Sequence, residues 1–271
     1  MAAKKNNSET CYDANRPLSD DSLFNGALIC RQYLDGYRFS VDSILAAHFC
    51  RISGSMRVLD LGCGSGIIGL ILARLHPDIR LVGLELQQDL ADLAVKNVQA
   101  NGFSSNFQII CGDVRRVGKF VQAESFDLVV CNPPYGKCGS GRINQTNEAA
   151  IARHELKANL DDMLSAAAFG VRNRGTVVFV YPAVRLAGLV AGMHKHALIT
   201  KRLRPVYSYP EADQAALVLV EAVKNGGEGC QLLSPMYIYS GKHKGYSPEM
   251  EKLYAINIKD SNGQCSRQGQ A

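Results

Sequence analysis

Seven short apolar runs, most of them parted by stretches of helical spacing, constrain this chain more than any other feature of its sequence. Residues 57–62 (RVLDLG), 79–86 (IRLVGLEL), 107–113 (FQIICGD), 125–132 (SFDLVVCN) and 175–182 (GTVVFVYP) are short and almost continuously apolar. Runs of that kind suit strands buried on both faces. Between them, residues 67–75, 87–102 (QQDLADLAVKNVQANG), 160–171 and 183–196 show helical spacing, and Asn101-Gly102 closes the second of these stretches. Strand–helix alternation predicts a parallel sheet with helices on both faces, a doubly wound α/β fold. The last two runs, residues 198–208 (LITKRLRPVYS) and 215–223 (AALVLVEAV), have no helix between them. They predict an antiparallel hairpin at one edge, which makes a mostly parallel sheet of seven strands.

The ends of the chain add little to this frame. The first 20 or so residues are polar and read as a loose segment, and residues 21–258 as a single domain with a short N-terminal extension. In that extension residues 41–50 have helical spacing after the turn-forming LDGYRFS, with Ser40 as N-cap. Residues 259–271 (KDSNGQCSRQGQA) have the composition of a disordered tail. The N-terminus has two lysines but no apolar stretch after them, and no apolar run approaches the roughly 20 residues that span a bilayer. The nine cysteines include no Cys-x-x-Cys pair. Zinc spacing is therefore absent, and the thiols read as reduced, mostly buried groups of a cytoplasmic protein with no metal.

Charge is uneven. Of the net +5, residues 1–135 contribute −1 and residues 136–271 contribute +6. Within residues 163–210 there are seven Lys and Arg and no acid. A basic face of that kind suits a polyanion; a solvated surface is the plainer reading.

The chemistry concentrates at the ends of the predicted strands. VLDLGCGSGIIGL places Gly62, Gly64 and Gly66 between the first strand and its helix, where backbone can approach a ligand and the helix presents free N–H groups. Gly64 to Gly69 matches a dinucleotide fingerprint, a weak signal alone. Asp60, just before the glycines, would repel a pyrophosphate but suit a cationic amino-acid group. Glu85 closes the second strand, placed to accept ribose hydroxyls, and Asp113 closes the third, followed by Val114. Ligands of such sheets bind beyond the carboxyl ends of the strands. A ribose, an adenine and a positive amino-acid end together describe S-adenosylmethionine.

The ordered set Asp60-Leu-Gly-Cys-Gly-Ser-Gly, Glu85, Asp113 and Asn132-Pro133-Pro134-Tyr135 resembles the class I S-adenosylmethionine methyltransferases that methylate amino nitrogens, whose sheet is Rossmann-like. The proline turn then acquires a use. An exocyclic amine is a poor nucleophile because its lone pair is delocalised. If the Asn132 side-chain oxygen and the Pro133 carbonyl accept its two hydrogens, the nitrogen is held pyramidal with its lone pair aimed at the methyl. Two prolines make the turn rigid and donate no competing hydrogen bond. Tyr135 offers a face on which a planar group stacks. The clamp implies an amino nitrogen and leaves open which one.

Three stretches resemble, more narrowly, a bacterial family that methylates adenine at its exocyclic amine beside the anticodon of valine tRNA. They are DGYRFSVDSILAAHF (35–49), ARHE (152–155) and SPMYIYSGKHKGYSPEMEKLY (234–254). The resemblance implies that Phe39, Ser40 and Asp42 line the cofactor's methionine end, with Asp60, Gly62, Gly64, Gly66, Glu85, Asp113, Val114 and Asn132 completing that site. A tRNA partner suits the basic stretch, with Lys137, Arg153, Lys201, Arg202 and Arg204 as candidate phosphate contacts; Arg153 serves equally well, with Glu155, to open a helix. A release-factor glutamine methyltransferase, which has the same glycine loop and clamp, remains the alternative. Those enzymes carry a sizeable helical domain before the first strand, whereas only 56 residues precede Arg57 here. A passive RNA-binding module would not need an amine-orienting pair of acceptors.

Overall fold

The computed structural model describes residues 17–34, 41–133 and 158–255 of the chain. The apolar runs form one twisted sheet. In chain order the elements that build it are α1 (Val41–Phe49), β3 (Arg57–Leu61), α2 (Ile67–Leu75), β4 (Arg80–Glu85), α3 (Gln88–Ala100), β5 (Phe107–Cys111), β6 (Phe126–Cys131), α4 (Leu160–Gly170), β7 (Val171–Pro182), α5 (Leu186–Lys195), β8 (Leu198–Tyr207) and β9 (Leu217–Lys224). Strands β3, β4, β5, β6 and β7 run parallel, whereas β9 lies antiparallel between β7 and β8. The final hairpin is thus present, but it sits inside the sheet. Two short strands, β10 (Gln231–Leu232) and β11 (Met236–Tyr237), pair with β8 on its outer side. The full order is β10-β8-β9-β7-β6-β3-β4-β5.

Alternation within each strand divides the core into two layers. Val58, Leu81, Leu128, Val130 and Val178 face α1, α2 and α3, with Ile44, Leu45 and Ile71 packed on them. Leu59, Leu61, Val129, Val177 and Phe179 face α4 and α5, against Met163, Leu164, Leu189 and Met193. Each fully buried side chain of this size contributes about 1.5–3 kcal/mol. Helix α4 opens on a capping box in which Asn159 Oδ1 accepts from the Asp162 amide while Asp162 accepts from the Asn159 amide. It ends at Gly170, and β7 begins at once. That strand starts four residues before the predicted one.

The polar N-terminal extension holds an element that apolar periodicity does not reveal. β1 (Leu18–Leu23) and β2 (Leu28–Tyr33) form an antiparallel hairpin in register from Leu18 opposite Tyr33 to Leu23 opposite Leu28. Phe24, Asn25 and Gly26 turn the chain with positive φ. The edge strand β2 is tied down by side chains of α3 and of its C-cap residue, Asn101. Asn101 exchanges hydrogen bonds with the Ile29 amide (2.9 Å) and carbonyl (2.7 Å), and Asn97 does the same at Arg31 (2.9 and 3.1 Å). Two asparagines one helical turn apart thus supply the ladder bonds of a missing strand.

At the other end, α6 (Pro248–Tyr254) is capped by Ser247, whose hydroxyl also donates to the Tyr237 carbonyl at 2.6 Å. Tyr239, Tyr246 and Tyr254 stack with ring centroids 5.5 and 5.1 Å apart. Met250 reaches the core and His48 Nε2 meets the Leu253 carbonyl at 3.0 Å. The YSPEM stretch therefore closes the sheet edge over α1. The tail after residue 255 lies outside the described residues. Among the described residues, no helix is long and apolar enough to cross a membrane, and no group of His, Cys, Asp or Glu is placed to hold a metal ion.

Candidate active site

A cavity of about 230 Å³ opens at the carboxyl ends of β3, β4 and β6. Its walls include Ser43, Gly62, Gly64, Glu85, Val114 and Asn132, brought together from α1, the glycine loop and three strand ends. The loop after β3 is folded by its own backbone. The Gly62 and Cys63 amides donate to the Leu84 carbonyl (2.8 and 3.2 Å), and the Gly66 amide donates to Cys63 (2.8 Å). Gly62 and Gly64 take positive φ of 70° and 57°. A Cβ on Gly64 would project into open space, and one on Gly62 would come no nearer than 3.6 Å to Met163. The bare backbone therefore fronts an open cradle rather than packed neighbours. Behind the loop, Asn97 donates to the Ser65 carbonyl at 3.0 Å, so the helix that anchors β2 also holds the glycine turn.

Glu85 stands at the far wall of this cradle. One carboxylate oxygen accepts from the Gly64 amide and the other from the Gln87 amide, both at 2.9 Å. Burial raises its pKa and those backbone donors pull it back. Each oxygen retains lone-pair capacity for a vicinal diol. Leu86, Leu90, Val114 and Met163 supply apolar faces on which a flat ring can rest. The donor set fits S-adenosylmethionine: an acid for the ribose, apolar walls for the adenine, and bare backbone at a helix start for the rest.

Asn132 sits at the mouth, half-buried, directly after β6. Its Nδ2 donates to Ser43 Oγ at 3.3 Å, which fixes the orientation of the amide. Ser43 is buried in the first turn of α1 and was not singled out from the sequence. Its only signal was a hydroxyl one residue after Asp42 in an otherwise apolar helix. Pro133 is buried behind Asn132. Phe39, Ser40, Pro134, Tyr135, Lys137 and Arg153 lie outside the described residues.

Four of the expected cofactor residues are placed differently from a direct ligand. Asp60 is 1% exposed and lies behind the glycine loop, off the cavity wall. Both of its oxygens lack a properly formed hydrogen bond, although the Gly69 amide in the first turn of α2 eases its charge. Burial first, and the neighbouring Glu85 charge, push its pKa up to about 7. Asp113 turns its carboxylate to Arg115, which bonds both oxygens (Nε at 3.0 and 2.9 Å, a terminal nitrogen at 2.6 Å) and holds its pKa below the usual range. Gly66 is the N-cap of α2 and Asp42 occupies the first turn of α1, each beside the wall rather than on it.

The cations expected to meet RNA on β8 are engaged within the chain. Lys201 Nζ bonds the carbonyls of Gly227, Glu228 and Gly229. Arg202 is 9% exposed, pairs with Glu221 at 2.6 Å, donates to the Phe49 carbonyl at 2.6 Å and stacks 4.0 Å over the Phe49 ring. Arg204 pairs with Glu249 at 2.8 Å and donates to the Ser234 carbonyl. Arg202 thus departs from the expectation outright, because its guanidinium neutralises a buried acid.

With this geometry in view, the comparisons with known proteins are consistent. Residues 41–159 match the methyltransferase small domain family. A relative from Aliivibrio salmonicida, named tRNA1(Val) (adenine(37)-N6)-methyltransferase, is 25% identical over 186 residues, 69% of this chain and 77% of that protein. Relatives from other bacteria carry the same name. Over residues 41–159 the chain thus resembles methyltransferases. A solved Agrobacterium tumefaciens protein described as a predicted O-methyltransferase superposes with a TM-score of 0.64 at 21% identity, covering 79% of this chain and 95% of that one. A geranyl diphosphate C-methyltransferase of Streptomyces coelicolor, solved with S-adenosyl-L-homocysteine, superposes with a TM-score of 0.50 at 10% identity, over 67% of this chain and 76% of that one. Both likenesses are of fold, and they are to methyltransferases acting on different atoms. The methyltransferase is therefore class I in architecture, with S-adenosylmethionine as its methyl donor.

Proposed function

We propose that this methyltransferase methylates the exocyclic amine of an adenine in tRNA, at the anticodon-loop position beside the anticodon of valine tRNA. The observation that carries the reading is Asn132 on the cavity wall, its side-chain nitrogen donating a hydrogen bond to Ser43 Oγ and buried Pro133 following it in the chain. The name shared by the relatives supplies the substrate class.

S-adenosylmethionine supplies, when bound, a methyl group already activated by its sulfonium, so positioning dominates over acid–base chemistry. Glu85 would hold the ribose hydroxyls and Val114 would pack on the base. Asn132 Oδ1 and the Pro133 carbonyl accept the two amine hydrogens and keep the nitrogen lone pair out of conjugation. Ser43 holds the Asn132 amide in one orientation. Pro133 has no N–H to compete for the acceptors. The loop adenine is splayed out of its stack to reach the clamp, and Tyr135 stacks on it.

The test is transfer of radiolabel from S-adenosylmethionine to purified valine tRNA, run beside release factor. Label recovered as N6-methyladenosine after nucleoside digestion is the expected result. Label in release factor alone would keep the clamp chemistry and overturn the substrate.

A further inference from the structure

The basic stretch that drew attention in the sequence is used up internally. Besides the three β8 residues, Arg172 pairs with Asp127 at 2.7 Å, Arg174 donates to the Asn225 carbonyl and Lys195 pairs with Asp161 at 3.0 Å. Cations available to an RNA must be sought elsewhere. A second concavity, a groove of about 400 Å³, adjoins the cavity, and Val114 lines both. One bank is the 3₁₀ turn Val114–Lys119 after β5, with Arg115, Arg116 and Lys119 exposed. The other bank is α4, with Ser165, Ala166 and Phe169.

The charges of the groove are not equivalent. Arg115 is bonded to Asp113, and Asp162 is engaged in the cap of α4. Among the described residues the side chains of Arg116 and Lys119 enter no hydrogen bond or ion pair, although the Arg116 amide donates to the Asp113 carbonyl at 2.8 Å. The backbone at Arg116 leaves helical geometry (φ −119°, ψ 27°), which kinks the turn there. Phe169, a large aromatic on a helix face, is 36% exposed beside these cations, and its ring tip approaches Gly118 so closely that a Cβ there would lie 3.1 Å from it. An exposed ring next to two unpaired cations is the arrangement that binds single-stranded nucleic acid: bases stack and phosphates pair. Small residues at Gly118, Ser165 and Ala166 keep the space above the ring open.

We propose that the groove between the Val114–Lys119 turn and α4 holds a nucleotide flanking the target adenine, its phosphate on Arg116 and Lys119 and its base on Phe169. The inference rests on the RNA reading given above. Splaying one adenine into the cavity requires its neighbours to be gripped as well, and a groove sharing Val114 with the cavity lies within reach of the adjoining nucleotide.

The test compares Arg116→Glu/Lys119→Glu with Lys242→Glu/Lys244→Glu, which reverses the same charge at exposed positions far along the chain. Steady-state methylation of tRNA is measured over a salt series, with S-adenosylmethionine binding and thermal melting as checks on the fold. The groove variant should raise KM for tRNA roughly tenfold or more while kcat and cofactor affinity hold, and losing the one single-strand phosphate contact that both cations share should flatten the log–log salt dependence by about 0.7. Phe169→Ala should raise KM with the salt slope unchanged, because stacking releases no counterions. If the enzyme methylates tRNA and the groove variant behaves like the control variant, the groove proposal falls and the function stands. If the unaltered enzyme places no label in tRNA, both fall together.

Discussion

Asp60→Asn is the substitution with the most to reveal about the carboxylate behind the glycine loop. Asp60 is fully buried among the thiols of Cys50, Cys63 and Cys131, whose pKa values its charge helps to raise. Neither oxygen has a properly formed hydrogen bond. Its pKa is pushed from 3.8 to about 7, so between those values the folded state binds more protons at this site than the unfolded chain. Stability therefore falls as pH rises through that window, and the loss is complete above about pH 7. A shift of about 3 pKa units corresponds to about 4 kcal/mol. Asparagine cannot ionise, so the variant lacks this slope. Its own unsatisfied amide costs the same at every pH and cancels in a double difference. Urea unfolding of both proteins at pH 4 and pH 8 measures it: the variant should gain about 4 kcal/mol on the natural protein between the two conditions. A double difference under about 1 kcal/mol would mean that Asp60 is relieved by a donor, and the desolvation argument would fail.

Asn132→Ala should abolish methyl transfer while leaving S-adenosylmethionine affinity, read by calorimetry, largely intact; near-normal turnover would refute the clamp. Ser43→Ala removes one neutral hydrogen bond to Asn132, worth about 0.5–1.5 kcal/mol, and should lower kcat about two- to tenfold without a matching change in cofactor affinity. Arg202→Ala leaves Glu221 charged and buried, so denaturant unfolding should show a loss of about 3–5 kcal/mol. In Gly69→Ala the new Cβ would sit 2.2 Å from the Phe107 ring, and the forced displacement should cost about 1–3 kcal/mol by the same measurement.

The sheet was legible because its strands carry their own signal. Continuous apolar runs ending in glycine, acid or proline have few alternatives, and the observed strands β3, β4, β5 and β6 lie within the predicted runs. The N-terminal hairpin was not legible by the same means. β1 and β2 hold Asp20, Asp21, Arg31 and Gln32 among their twelve residues, so apolar alternation is weak. Asn25-Gly26 was the available clue, since that pair favours the left-handed backbone of a tight turn. What stabilises the hairpin is remote in sequence, Asn97 on α3 and Asn101 at its C-cap, and no local reading joins positions 66 and 72 residues apart.

The site shows the same division between residue type and placement. Glu85, Gly62 and Gly64 were legible because strand ends in this topology face the ligand, and they do line the cavity, whereas Gly66 lies beside it. Asp60 and Asp113 obey the same rule in sequence, yet alternation along β3 turns Asp60 under the loop, and Asp113, two residues past β5, caps the 3₁₀ turn and meets Arg115. Charge was the least legible property. A run of seven cations without an acid looks like a polyanion surface only while their partners are ignored. Glu221 and Glu249 lie beyond that run in the sequence and Asp127 lies before it, so counting within the run could not find them. Arg116 and Lys119, whose side chains have no bonded partner among the described residues, sit in a half of the chain whose net charge is negative. For a protein that must grip RNA, the useful quantity is therefore the cations left over after the fold has satisfied its own acids and carbonyls, and only the tertiary pairing reveals which those are.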